Sequence, residues 1–368
     1  MGKENRKYWL LSGFVIFIVY FFTASQPVPV ETILVPRWLS SLESNYPVNL
    51  QANPPAAPDV ESAGTEAFIP FELGGRFGYV NDEGRFVINR IKRGYASVSD
   101  EYWAEYKPIP AAIEIRDPQN RELLSIESGK GYPFFLDGRI FFINAEQNSL
   151  QAAGPDGKIA WTYDFASPLT DIDAAAGLVL TGSLDGTVEL LNTEGQRIFF
   201  FEPGGSRLMA IYGCRISSDG SRLAIISGYD DQRFLLLERF GDSYKVIYHE
   251  FLNDGFNWAV HIAFIDHDSR VAFERQGGLG IYDINARESL YLELPGNISA
   301  LESYGGDNLL FLINSLDERQ KELVAVRLPG TIILKAPFKS ENVFMRRQGS
   351  RLYVGGGGIL SSFEISKR

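Results

Sequence analysis

From about residue 66 onward the chain repeats one kind of unit: a β-rich stretch, a polar turn carrying glycine, then another β-rich stretch. This constrains the fold more than any single motif. Short strands separated by glycine turns pair with their chain neighbours, and a string of similar small sheets must stack or close on itself. Residues 169–204 show the unit most clearly, as LTDIDAAAG, LVLTGSLDG, TVELLNTEG and QRIFFFEPG. Asp185-Gly186 and Glu194-Gly195 are dipeptides of the kind that reverse a hairpin. Four such strands make one antiparallel sheet. The same phase fits residues 95–129, 131–168, 205–254, 256–296 and 297–338, which gives six complete units. Their spacing of about 35 to 50 residues is the range in which a four-stranded unit implies a propeller blade.

The two ends supply further strands. ENVFMRRQGS and RLYVGGGGILSSFEIS read as strands of the inner type, and GYVNDEGRFVIN near residue 80 parallels ELLNTEGQRIFF. Completing one sheet from both ends closes a ring and hides its last edges. The expected fold is therefore all-β, a β-propeller of seven four-stranded blades over residues 66–368, at roughly 43 residues per blade. Eight blades or six are the alternatives.

What precedes the repeats has a different composition. Tyr8 to Thr23, YWLLSGFVIFIVYFFT, is charge-free and follows Lys3, Arg6 and Lys7. At about 1.5 Å per residue it nearly crosses a hydrocarbon core of about 30 Å if Ala24 and Ser25 join it. The basic flank predicts residues 1–7 in the cytoplasm, 8–25 as a transmembrane signal anchor and the remainder exported. The alternative is a cleaved signal peptide, with Thr23-Ala24-Ser25 at the cut. Residues 26–65 carry Pro27, Pro29, Pro54, Pro55 and Pro58 and read as a Pro-rich tether. Within it, Ile33 to Ser44 is expected to form a short helix after Pro36, with Trp38, Leu39 and Leu42 on one side. Such a helix would lie on the membrane or the domain, or serve as a docking peptide for a partner.

The repeat resembles propellers of the quinoprotein-like and WD-repeat classes. LVLTGSLDGTVELLNTEGQRIF is similar to the quinoprotein-type repeat, and DGKIAWTYDF, with Trp161 after its turn, to that repeat's closing strand. RISSDGSRLAIIS, from Arg215 to Ser227, looks like the opening of a WD-type blade. GRFGYVNDEGRFVI resembles a short Trp-Gly-type repeat with Phe77 in the tryptophan position. The motifs are degenerate, with neither a Trp-Asp dipeptide nor a Gly-His pair. The resemblance implies a propeller. Because exported quinoprotein-like propellers include envelope-assembly scaffolds, it also implies a place on the outer side of a bacterial cytoplasmic membrane. Its enzymatic counterpart, a quinoprotein dehydrogenase, would need a tryptophan at each blade junction, a catalytic Asp and a metal held by carboxylates and amides. This domain has only Trp103, Trp161 and Trp258.

Candidate chemistry is sparse. Forty-six acidic against 35 basic residues give a net charge of −11, which argues against a nucleic-acid partner. Cys214, the single cysteine, excludes internal disulfides and thiolate-rich zinc sites and reads as a buried structural thiol. His261, Asp266, His267 and Asp268 concentrate imidazole and carboxylate, but a strand and its following turn need not converge them on a metal. Gly355 to Gly358 lacks the Lys and Ser/Thr of a phosphate loop and reads as a permissive hairpin. Asn297-Ile298-Ser299 fits a glycosylation sequon, a pattern too common to decide anything.

Asp171 and Asp173, two apart on one strand, would face one side near the central channel, either solvated or on a cation. Tyr229, Tyr282 and Tyr304 lie near turns or strand ends and are candidates for a binding face. The expectation is a non-enzymatic scaffold without cofactor, metal or catalytic residues, joined to the membrane by its N-terminal helix and binding a protein partner. The alternative is a quinoprotein-like enzyme or a small-ligand or cation sensor using the channel.

Overall fold

The structure, a computed structural model, describes residues 32–44, 47–50, 68–107, 112–126, 131–252, 259–305 and 308–367. The chain first forms β1 (Thr32–Ser41) and β2 (Val48–Asn49), then blade 1 from β3 (Phe68–Leu73), β4 (Arg76–Asn81) and β5 (Phe86–Ile91). Blade 2 is β6 (Tyr95–Val98), β7 (Trp103–Tyr106), β8 (Ile113–Arg116) and β9 (Glu122–Ile126). Blade 3 is β10 (Tyr132–Leu136), β11 (Arg139–Ile143), β12 (Ser149–Ala153) and β13 (Ile159–Asp164). Blade 4 is β14 (Leu169–Ala175), β15 (Leu178–Ser183), β16 (Val188–Leu191) and β17 (Arg197–Phe201). Blade 5 is β18 (Ile211–Ile216), β19 (Arg222–Ser227), β20 (Arg233–Phe240) and β21 (Ser243–Phe251). Blade 6 is β22 (Ile262–Ile265), β23 (Arg270–Arg275), β24 (Gly278–Asp283) and β25 (Glu288–Glu293). Blade 7 is β26 (Asn297–Tyr304), β27 (Leu309–Ser315), β28 (Gln320–Arg327) and β29 (Thr331–Lys339). Blade 8 has β30 (Val343–Gln348), β31 (Arg351–Gly356) and β32 (Ile359–Lys367), and it recruits β1 and β2.

These make eight antiparallel sheets, so the expected seven blades are corrected to eight. The six units read from the repeats correspond to blades 2 to 7. The error lay at the ends, where one shared sheet was expected and two exist. Among the described residues, 68–91 make up blade 1, and the strand that closes blade 8 comes from the segment expected to be tether. β1 runs antiparallel to β32 from Thr32 opposite Lys367 to Ser41 opposite Ile359. The expected helix over Ile33 to Ser44 is thus a strand. Pro36 is tolerated because the register shifts between Pro36 and Trp38, a bulge where a missing N–H costs no regular rung. Among the described residues no helix is long and apolar enough to cross a membrane. The expected anchor at residues 8–25 lies outside them.

Burial follows position in the blade. Middle strands such as β15, β16 and β20 are buried on both faces, because each is covered by a neighbouring sheet on either side. Outermost strands such as β13 and β29 alternate strictly between half-buried and exposed. The core is accordingly a set of wedges, one between each pair of adjacent blades around the complete ring. Between blades 5 and 6, Phe234 stacks on Phe273 with centroids 4.6 Å apart. At the seam, Trp38 and Leu42 join Ile69, Phe71, Val80 and Tyr353. The Trp38 indole donates to the Asp82 carbonyl at 2.9 Å, and the Ser40 hydroxyl donates to the Gly84 carbonyl at 2.6 Å. Gly84, at φ +84°, is pressed on that indole: a Cβ there would lie 2.6 Å from the Trp38 ring.

Candidate functional site

In every blade the first strand is innermost, so β3, β6, β10, β14, β18, β22, β26 and β30 surround the axis. Adjacent inner strands belong to separate sheets and are not laddered to one another. Their edge amides need other acceptors. In β14 the carboxylates of Asp171 and Asp173 supply them. Asp171 Oδ2 accepts from the Cys214 amide at 2.8 Å and from Arg215 Nη1 at 2.6 Å, and Asp173 Oδ2 accepts from the Ile216 amide at 2.9 Å. The alternation of the strand aims both carboxylates at blade 5 rather than at a cation in open solvent. Burial pushes the Asp173 carboxyl above its ordinary value, opposed by the Ile216 amide and Arg215. Burial lowers the Arg215 guanidinium, but Asp171, Asp173 and Cys214 together outweigh it and leave the group raised. Cys214 is wholly buried, and burial drives its thiol up, away from the reactive thiolate.

Glu274, at the end of β23, does the same work between blades 6 and 7. Its Oε1 accepts from the Ile298 amide at 2.8 Å and its Oε2 from the His261 amide at 3.1 Å. Burial raises this carboxyl too. Sequence reasoning passed over Glu274, although an acid closing the buried run VAFER was the available signal. His261, just before β22, is held below its ordinary value by burial and then by Arg215, so it is neutral at pH 7. Further along β26 Glu302 is raised by burial and opposed by Arg346 and Arg347. Arg346 pairs with Asp100, which joins blade 8 to blade 2.

The histidine–carboxylate cluster does not assemble. Asp266 pairs with Arg270, Asp268 Oδ2 accepts from the Ser218 amide at 2.7 Å, and His267 packs on Gly305. Among the described residues no group of three or more His, Cys, Asp or Glu side chains is arranged to hold a metal ion. Gly355 and Gly356 end β31, and Gly357 and Gly358 turn the β31–β32 hairpin at φ +59° and +77°.

The three tyrosines separate. Tyr282 is 2% exposed and stacks on Tyr248 at 4.0 Å inside the wedge between blades 5 and 6; its position on a binding face is corrected, since β24 is a middle strand covered on both sides. Tyr304 is half-buried at the end of β26, under the Arg347 guanidinium at 5.9 Å. Tyr229 is 43% exposed in the β19–β20 loop, and its amide bonds to the Leu208 carbonyl at 3.0 Å.

That loop lies on the face that also carries the β15–β16 and β17–β18 connections. Leu184, Leu208, Met209 and Tyr229 are all exposed there. Beside them a groove of about 590 Å³ descends toward the channel, with Leu169, Ile172, Ile211 and Tyr212 among its walls. Four large apolar side chains in water next to an apolar groove form a surface suited to covering by another molecule.

A family model for β-propeller proteins matches residues 1–368. The chain belongs to the β-propeller protein family. The propeller is 25% identical over 367 residues to an uncharacterized protein of Treponema pallidum (strain Nichols), covering 99% of this chain and 95% of the relative. Among solved structures it is similar to BamB from Moraxella catarrhalis, at TM-score 0.60 and 14% identity over 90% of this chain and 100% of that one. It is also similar to the computationally designed Ika8 protein, at TM-score 0.59 and 12% identity over 83% of this chain and 98% of the other. At these identities the two structural likenesses concern the fold.

Proposed function

We propose that this propeller is a non-catalytic protein-interaction scaffold on the outer side of the cytoplasmic membrane, serving envelope assembly, with its partner docked on the β15–β16, β17–β18 and β19–β20 loops. The observation that carries this reading is the apolar loop face: Leu184, Leu208, Met209 and Tyr229 exposed together beside the groove. The inner carboxylates support it from the other side. Asp171, Asp173 and Glu274 are engaged in holding blades together, so a cation in the channel would have to compete with those bonds. Export rests on the apolar run Tyr8 to Thr23 behind its basic flank, and the envelope role on the resemblance to exported quinoprotein-like propellers.

The test is proximity crosslinking in native membranes from a photoreactive group placed at residue 208, with fractionation recording whether the protein faces the periplasm. The scaffold reading expects a discrete protein adduct that Met209→Glu abolishes and Ile333→Glu, on an outer strand, leaves intact. No adduct from the loop face, together with a small molecule or metal retained by the purified protein, would shift the assignment to the channel.

A further inference from the structure

The loop face of blades 3 to 5 is laced into one surface by its own main chain. The Leu169 amide donates to the Gln147 carbonyl at 2.7 Å and the Leu184 amide to the Pro168 carbonyl at 2.8 Å, which joins the β11–β12 turn to the β15–β16 turn. Gly186, at φ +88°, is pressed on the next connection: a Cβ there would lie 1.7 Å from the Met209 carbonyl oxygen. The Gly228 amide donates to the Ala210 carbonyl at 3.0 Å and ties in the β19–β20 loop. The groove and the apolar side chains beside it are therefore organised before anything binds.

The charges left uncancelled on this surface have one sign. Glu146 is exposed next to the groove residue Gln147, and Asp185 next to the groove residue Leu184. Glu202 and Asp231 are exposed in the two connections that carry Leu208, Met209 and Tyr229. Among the described residues none of these four carboxylates enters an ion pair. Asp185 accepts only from neutral donors, the Ser183 hydroxyl and the Thr187 amide and hydroxyl. Burial would raise its carboxyl, but those bonds outweigh burial and hold it below its ordinary value, so it stays ionised. Asp230 differs, since Arg207 lies 3.3 Å from it. Arg233, at the start of β20, is turned to the Pro203 and Gly204 carbonyls.

We propose that the loop face selects a segment of a partner protein in which bulky apolar residues are flanked by lysine or arginine. The apolar residues enter the groove and cover Leu184, Leu208 and Met209, and the flanking cations lie beside Glu146, Asp185, Glu202 and Asp231. This assignment rests on the scaffold reading and names the chemistry of its partner. Anionic lipid headgroups and nucleic acid meet the same carboxylates as repulsion, and a second copy docked through this face sets the four against themselves.

Titration of the full chain with a short synthetic peptide of leucine and lysine tests the assignment. Two matched peptides serve as controls, one with glutamate for every lysine and one with serine for every leucine. The leucine–lysine peptide should bind at least about tenfold more tightly than either control. Glu146→Lys with Asp231→Lys should weaken that binding at least about tenfold. Asp242→Lys with Glu318→Lys changes the net charge equally at exposed acids in the β20–β21 and β27–β28 turns, and should change binding by less than about threefold, because screening confines the effect of a surface charge to its surroundings. The proposal is overturned if the leucine–lysine peptide does not bind, if either control binds as well, or if both double variants lose affinity equally, which is attraction to a chain of net charge −11 and nothing more. Crosslinking from residue 208 in native membranes separates this proposal from the reading beneath it. A protein adduct that survives Glu146→Lys with Asp231→Lys overturns the charge selection and keeps the scaffold, whereas the lack of any adduct in the wild type overturns both.

Discussion

Blade 4 and blade 8 reach similar sheets by opposite routes. Blade 4 takes its four strands from one run, residues 169–201, in which each strand meets the next after a short turn. Blade 8 takes three strands from the C-terminal end and two from the far end of the chain, pairing Thr32 with Lys367. The local sheet is specified by turn chemistry and alternation, which a single stretch of sequence displays. The seam is specified by a fit between distant segments, and it must be closed against the entropy of the whole intervening chain. Two junctions, between blades 4 and 5 and between blades 6 and 7, show a third device, in which carboxylates bond the neighbouring inner strand directly.

The largest expected effect is at the seam. Trp38→Ala removes the indole that fills the wedge between blades 8 and 1 and its bond to Asp82, and it should cost about 3–5 kcal/mol. Denaturant unfolding measures it, and a loss below about 1 kcal/mol would mean that β1 contributes little to closure. At the latch between blades 6 and 7, Glu274→Gln keeps the shape but leaves one oxygen to serve two amides, so one of the Ile298 and His261 bonds is lost. A loss of about 1–2 kcal/mol follows.

Asp173→Asn should differ in sign, because an amide oxygen still accepts from Ile216 while the buried charge disappears. A raised carboxyl pKa in the folded state means stability that is fully present below the unfolded value, near 4, and is lost as pH rises through the raised value. Wild type should therefore compare best with the variant at about pH 4 and lose ground toward pH 7, where the variant equals or exceeds it by up to about 1 kcal/mol. Parallel melts at the two pH values check this, and a difference that does not change with pH would refute a buried ionised Asp173. The smallest effect is at Tyr229→Ala, an exposed side chain, which should move stability by no more than about 0.5 kcal/mol. The same change should reduce partner crosslinking from residue 208, which separates a binding surface from a structural one.

The contrast between the two routes also explains what was legible. The runs from Leu169 to Gly204 and from Asn297 to Phe338 could be divided into strands because the hydrophobic alternation and the glycine turns agree. In ILVPRWLSSLES they disagree: Pro36 and the spacing of Trp38, Leu39 and Leu42 suit a helical turn, and nothing local announces that Ile359 to Lys367 waits as a partner. Blade number failed for the same reason, since counting the ends needed that pairing. At the site, Asp171 and Asp173 were found through their period-2 spacing, but their role depended on amides more than forty positions away in β18. Glu274 was missed because an acid at a strand end is usually solvated. Tyr282 could not be told from Tyr229 without knowing which strand is covered on both sides.

The pairing of Thr32 with Lys367 also fixes an orientation. β32 starts beside the Gly357-Gly358 turn, on the face that bears Leu208 and Met209, and runs away from it, while β1 runs back toward it. Thr32 and Lys367 therefore both lie at the opposite face. The two paired strand ends and the apolar loops thus occupy opposite rims of the disc, the closure of the ring on one and Leu208 and Met209 on the other.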